Sequence, residues 1–348
     1  MSIESYLRAM PKVELYVQLE GAMQKETLLV IAEQNDIPDT LKHFKQWAAL
    51  IEQPDYQHLD DLVRVTSAWL QQPDDLTRVV YELGVNLAKQ NVRYAEVSVV
   101  PLLYMENGLT FEQFLSAIND GRDRVARGWG VQLAWVLMLP RDQPRRADDF
   151  LRWVTSTAAK RGGVVALGLT GPDNAQPAAQ FERPFRNAIK KGVPRVVQAG
   201  DVTGGQGILD VITHLQPDRI VGGWGALESS DALSALVEQH IPVNLSMARD
   251  LRRGAVASYA TYPLRRFLDE GVTVTLGTAM PELYKTNLTQ EYLAAFEQVG
   301  GALDELEEIA LNAVRSSLLP DDEKHRMLAA FSEEYARLRA EHVTSAQA

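Results

Sequence analysis

Eight short apolar runs, separated by amphipathic stretches, constrain this chain more than any other feature. The runs cover 13–17, 92–99, 131–138, 164–169, 193–198, 219–221, 241–245 and 272–276. They are rich in Val, Ile and Leu, and most follow a Gly, Pro or Asn, which is how strands are punctuated. The apolar residues run continuously rather than alternating, the pattern of parallel strands buried on both faces. Between the runs lie helical patterns, such as Val79, Val80, Leu83 and Leu87 within 77–90, and similar spacing over 111–128 and 231–239. Eight strand–helix alternations in one chain predict an α/β fold, a (β/α)8 TIM barrel rather than an open sheet. One barrel domain is expected over 1–348. It carries a helical insert over 39–75, marked by Trp47, Leu50, Ile51, Leu62, Val63 and Trp69, and C-terminal helices over 289–342. The polar tail 343–348 is expected to fray.

Bulk properties narrow the function classes. The chain has 348 residues, 35 basic and 46 acidic, for a net charge of −11. An acidic surface repels a phosphate backbone, so a nucleic-acid partner is not expected. The basic clusters Arg249/Arg252/Arg253 and Arg265/Arg266 are interleaved with acids or fall in helical patterns, and read as solvated helix faces. No apolar run approaches the roughly 18–20 residues that span a bilayer, so no membrane role is expected. The N-terminus lacks a basic segment followed by an apolar core, and a cytoplasmic protein is expected. There is no cysteine, which removes disulfides, thiolate metal sites and cysteine nucleophiles. Oligomeric state is not readable.

In a barrel of this kind, chemistry sits at the C-terminal ends of the strands. The first run ends in Tyr16-Val17-Gln18, and strand alternation turns Tyr16 and Gln18 to the same face. The fourth leads into Gly168-Leu169-Thr170-Gly171-Pro172-Asp173, and the fifth ends in Gln198-Ala199-Gly200-Asp201. Asp201 is either a general acid or base, or a cap or turn residue in a glycine-rich segment. The sixth ends in Gly222-Gly223-Trp224-Gly225, and the eighth in Thr278-Ala279-Met280-Pro281. The six histidines, His43, His58, His214, His240, His325 and His342, all lie away from strand ends and read as surface or helix residues.

The segment Pro11-Lys12-Val13-Glu14-Leu15-Tyr16-Val17-Gln18-Leu19-Glu20-Gly21 resembles the opening of the adenosine deaminase family, P-K-[VA]-E-L-H-x-H-L-[DE]-G. Arg253-Gly254-Ala255-Val256 and Tyr262-Pro263-Leu264-Arg265-Arg266 are similar to that family's Q-x-G-A-V…H-P-L-R-R. The resemblance runs from about 10 to 330 and implies a metal-dependent amidohydrolase scaffold. It also implies which positions held the metal. The family's H-x-H is here Tyr16 and Gln18, its H-A-G-E is Gln198 to Asp201, its water-activating histidine is Gly222, and its T-D-D-P has Ala279 and Met280 for the aspartates. Gly168 replaces a further acid. The chain thus resembles a divergent member without the metal ligands, and neither metal nor other cofactor is expected. Glu20 matches the acid at the sugar end of a nucleoside, and Gly171 the glycine that approaches the purine. Tyr16, Gln18, Gly171, Gln198 and Met280 are the expected ligand contacts, with Asp201 and Glu20 as the catalytic pair. The leading expectation is a metal-independent enzyme acting on a C–N bond of a purine nucleoside or related heterocycle. The alternative is a non-catalytic nucleoside-binding pseudoenzyme, and a conventional zinc deaminase comes last.

Overall fold

The computed structural model describes residues 2–343, with 38–44 described by backbone alone. The strands are β1 (Lys12–Gln18), β2 (Val92–Val99), β3 (Gln132–Pro140), β4 (Val164–Thr170), β5 (Arg195–Ala199), β6 (Arg219–Gly222), β7 (Val243–Leu245) and β8 (Val274–Leu276). All neighbours pair in parallel in the order β1 to β8, with helices in the connections. The last seam is minimal: β8 meets β1 through the single bridge Val17–Ala279, with Ala279 N–H donating to Tyr16 O (2.9 Å) and Gln18 N–H to Ala279 O (2.7 Å). Ala279 takes φ 56° to do so, a left-handed conformation uncommon for a residue with a Cβ. The chain therefore adopts the expected (β/α)8 TIM barrel.

Three strands begin two residues later than their apolar runs. Val193, Ile241 and Val272 are buried, yet their amides donate to Ala188, Leu236 and Phe267, at 2.9, 2.9 and 3.0 Å. Each follows a left-handed residue, Gly192, His240 or Gly271, that ends the preceding helix. The hydrophobic residue after such a helix stop closes the last turn instead of joining the ladder. This also accounts for His240.

Residues 38–89 form helices Pro38–Glu52, Leu59–Ser67 and Pro73–Lys89, so the expected insert is helical. Trp47 and Trp69 meet edge to face at 5.2 Å within it. At the other end of the chain lie helices Leu288–Glu297, Leu303–Arg315 and Asp321–His342. The last one is not solvated throughout: it buries Phe331, Tyr335 and Leu338, and Tyr335 donates to Pro11 O (2.9 Å). Of the tail expected to fray, 344–348 lie outside the described residues. No helix among the described residues is long and apolar enough to cross a membrane.

The N-terminal floor of the barrel is closed by a buried ion pair. Arg219, which opens β6, pairs with Glu96 of β2 and donates to Leu15 O (3.2 Å) and Ser316 O (3.0 Å). Glu96 also accepts from the Leu318 amide and from Tyr94. Each ion has its counter-charge in contact, so the desolvation cost of burying both is offset locally.

Candidate functional site

At the C-terminal ends of the strands lies a cavity of about 350 Å³. Tyr16 and Gln18 reach it from β1, Pro140 and Arg141 from the end of β3, and Thr170 and Gly171 from the end of β4. Gln198 enters from β5, Arg249 and Arg253 from the segment after β7, and Ala279, Met280 and Tyr284 from the segment after β8. The insert supplies Asp60, Val63 and Arg64 at the entrance. It is fastened there by Tyr56 stacked on Tyr284 at 5.9 Å, with the Arg252 guanidinium 5.8 Å from the Tyr56 ring. All five expected ligand contacts, Tyr16, Gln18, Gly171, Gln198 and Met280, border this cavity.

The two expected catalytic carboxylates sit behind its wall. Glu20 lies in the 3-10 turn Leu19–Gly21, buried, with Oε1 accepting the Val100 amide at 2.8 Å. Burial raises its pKa. Gln18 and Tyr104 face the carboxylate, but no described group reaches Oε2 in hydrogen-bond geometry. Asp201 accepts from Gln198 Nε2 (2.8 Å) and pairs with Arg249 through both oxygens. The turn after β5 is anchored by another residue. Asp173 accepts the amides of Gly200 (2.8 Å), Val202 (3.0 Å) and Thr203 (3.3 Å) and the Thr203 hydroxyl (2.7 Å).

Gln198 links the two sides of the mouth. Its Oε1 accepts from the Thr170 hydroxyl (3.0 Å) and the Gly171 amide (3.3 Å), while Nε2 is committed to Asp201. With both ends engaged, the carboxamide orientation is fixed. Arg249 bridges Asp201 and Asp250, donating to Asp250 Oδ1 at 2.8 Å. Burial pushes the Asp250 carboxyl up to about 6 although Arg249 opposes the shift, and Tyr262 donates to its other oxygen at 2.6 Å. Burial also raises the pKa of Tyr16, against the attraction of Arg249.

This donor set does not fit a catalytic zinc. The positions that the resemblance assigns to ligands present a phenol, two carboxamides and a methyl, where zinc needs imidazole, thiolate or carboxylate. Among the described residues, no group of three or more His, Cys, Asp or Glu is placed to hold a metal ion. The space is also otherwise used. A Cβ on Gly222 would lie 2.5 Å from Asp201 Oδ1, and one on Gly168 would lie 2.0 Å from Met138 Sδ. Buried positive charge at this end of the barrel comes instead from Arg141 and Arg249, which are 2 % and 4 % exposed.

Arg249 departs from the solvated face expected for its cluster; Arg252, three residues on, does sit exposed. Arg141 was likewise not among the expected site residues. The signal for both is position: Arg141 is the first residue after β3, and Arg249 follows the end of β7 in the short helix Met247–Arg252. The described histidines lie away from the cavity. His58 pairs with Asp55 (2.8 Å), His214 with Glu182 (2.9 Å) and His342 with Ser5 (3.0 Å), and the His43 side chain lies outside the described residues.

Comparison with known proteins places this geometry in context. A family profile described as adenosine deaminase matches residues 11–334. An aminodeoxyfutalosine deaminase of Streptomyces avermitilis is 28% identical over 330 residues, covering 94% of this chain and 92% of that protein. An adenosine deaminase of Clostridium kluyveri is 26% identical over 336 residues, covering 94% and 95%. In three dimensions, an amidohydrolase of Burkholderia ambifaria with bound zinc superposes with a TM-score of 0.87 at 22% identity, over 97% of this chain and 93% of that one.

Proposed function

The chain belongs to the adenosine deaminase family, and from that premise we propose that it binds a purine nucleoside or related heterocycle at the barrel mouth without a metal-activated water. The observation that carries this reading is the Thr170/Gly171–Gln198–Asp201–Arg249 network, which gives the cavity a fixed polar wall where relatives would need ligands. A pocket built this way orients hydrogen-bonding edges of a heterocycle against apolar neighbours such as Val100 and Met280. Relatives named for adenosine and aminodeoxyfutalosine support a ligand of that class. Catalysis is not the first reading, because Asp201 is committed to Arg249 and Glu20 to the Val100 amide.

One observation favours a second reading, metal-independent C–N bond cleavage with Asp201 and Glu20 as acid and base. Glu20 is buried, which raises its pKa, and its Oε2 is unpartnered, so it gives up its proton less readily than an exposed carboxyl.

The test is thermal unfolding of the full chain with adenosine and inosine, alongside absorbance and product analysis by chromatography. Binding stabilises the native state by mass action. The expected result is stabilisation by a nucleoside, unchanged by EDTA, with no change in the adenine absorbance. Deamination of adenosine at enzyme-like rates that chelator abolishes would overturn the proposal. Release of free base without deamination would promote the second reading.

A further inference from the structure

Arg141 is 2 % exposed and borders the cavity. It donates to two carbonyls, Gln198 O at 2.9 Å and Gln176 O at 3.3 Å, and its Nε is buried without a partner. Among the described residues, no carboxylate pairs with it. Asp173 and Asp201 act on it only at longer range. Both are engaged elsewhere, Asp173 with the turn after β5 and Asp201 with Arg249 and Gln198. A guanidinium does not shed its proton in a protein. A buried charge with no counter-charge in contact costs several kcal/mol. The carboxylates that do border the cavity, Asp60, Glu106 and Asp142, are exposed at its rim. The unpaired positive charge in the depth of the cavity is therefore that of Arg141, since Arg249 is paired with Asp201 and Asp250, while the entrance carries three carboxylates against the one exposed guanidinium of Arg64.

We infer that the ligand carries an anionic oxygen group, a carboxylate or a phosphate, which enters the cavity to meet Arg141. This deepens the nucleoside-type reading and rests on it for the rest of the ligand. A charge-assisted contact with a guanidinium is stronger than a neutral one and admits two parallel hydrogen bonds. The rim carboxylates outnumber Arg64 and disfavour an anion that stops at the entrance, so the group is received inside.

The experiment compares matched pairs on the full wild-type chain by titration calorimetry: purine and purine-6-carboxylate, inosine and inosine 5′-monophosphate, uracil and orotate. The expected result is that an acidic member binds at least tenfold tighter than its neutral partner. The first two pairs tell a carboxylate from a phosphate. Arg141→Lys should keep the preference and Arg141→Gln should lose it. Should Arg141→Gln fail to fold, the wild-type pairs and Arg141→Lys still decide. If neutral members bind and no acidic member binds tighter, the inference falls while the nucleoside reading stands. Binding of orotate alone keeps the inference and overturns the purine reading. Binding of none of the six overturns both. A folded Arg141→Gln that keeps the preference also overturns the role of Arg141.

Discussion

The barrel buries guanidinium groups at both of its ends, and they are kept differently. At the floor, Arg219 has Glu96 in contact, and Glu96 in turn holds the Leu318 amide. At the mouth, Arg141 has only backbone carbonyls, and Arg249 shares two acids. An unpartnered Nε does not separate them, since Arg219 has one as well. The difference is the counter-charge. A group that closes a fold brings its partner with it, whereas a group that faces a cavity can leave that place to something that arrives.

The comparison can be broken most sharply at the floor. Glu96→Ala leaves Arg219 buried and unpaired, and should cost about 3–5 kcal/mol in urea unfolding. Binding of any ligand at the mouth should be unchanged in the surviving folded fraction. A cost under about 1 kcal/mol would show that the floor pair is not what closes the barrel.

The second effect belongs to the mouth and its seam. Burial raises Glu14, on β1, to about 8 and Glu291, which accepts the Met247 and Ala248 amides, to about 7. With Asp250 raised to about 6, the native state holds more protons than the unfolded chain. The stabilisation is complete below the ordinary carboxyl range and is lost as pH rises through 6 to 8. Unfolding free energy should fall between pH 6 and pH 7 by on the order of 2 kcal/mol. Glu14→Gln should flatten the curve. Lys12, lowered by burial to about 7, opposes the trend only above that pH. A stability that rises from pH 5 to 7 would contradict the assignment.

A smaller change is expected at Asp201. Asp201→Asn leaves Arg249 paired with Asp250 and keeps the acceptor for Gln198, so it should cost about 1 kcal/mol. Stabilisation by the nucleoside should weaken in the same variant. If the variant instead unfolds and ligand affinity is kept, Asp201 belongs with the floor as a closing residue. The smallest expected effect is that of zinc. Because a ligand that binds only the native state raises its melting temperature, added zinc or EDTA should shift the wild-type midpoint by no more than about 1 °C.

Much of this was legible in the sequence, and unevenly so. Strand order and number follow from the apolar runs, because burial on both faces leaves no room for polar interruptions. That Tyr16, Gln18, Gly171, Gln198 and Met280 border the cavity follows from their position at or just after strand ends. Arg249 was not, because a helix of six residues is too short for its pattern to reveal an inward face. Glu20 and Asp201 were placed near the mouth by the sequence, but which atoms they would satisfy depends on Val100 and Arg249, distant in the chain. Long-range partners of that kind leave no local pattern.

Gly222 carries a consequence of a different sort, for redesign. Its φ of 83° disfavours any side chain, and the place of its Cβ lies against the Asp201 carboxylate. That carboxylate is pinned by Arg249 and Gln198. A histidine placed at 222 would have to displace it, and Arg249 would then lose a counter-ion. A side chain at 222 and the Asp201–Arg249 pair therefore exclude one another, so any redesign of this mouth has to move both together.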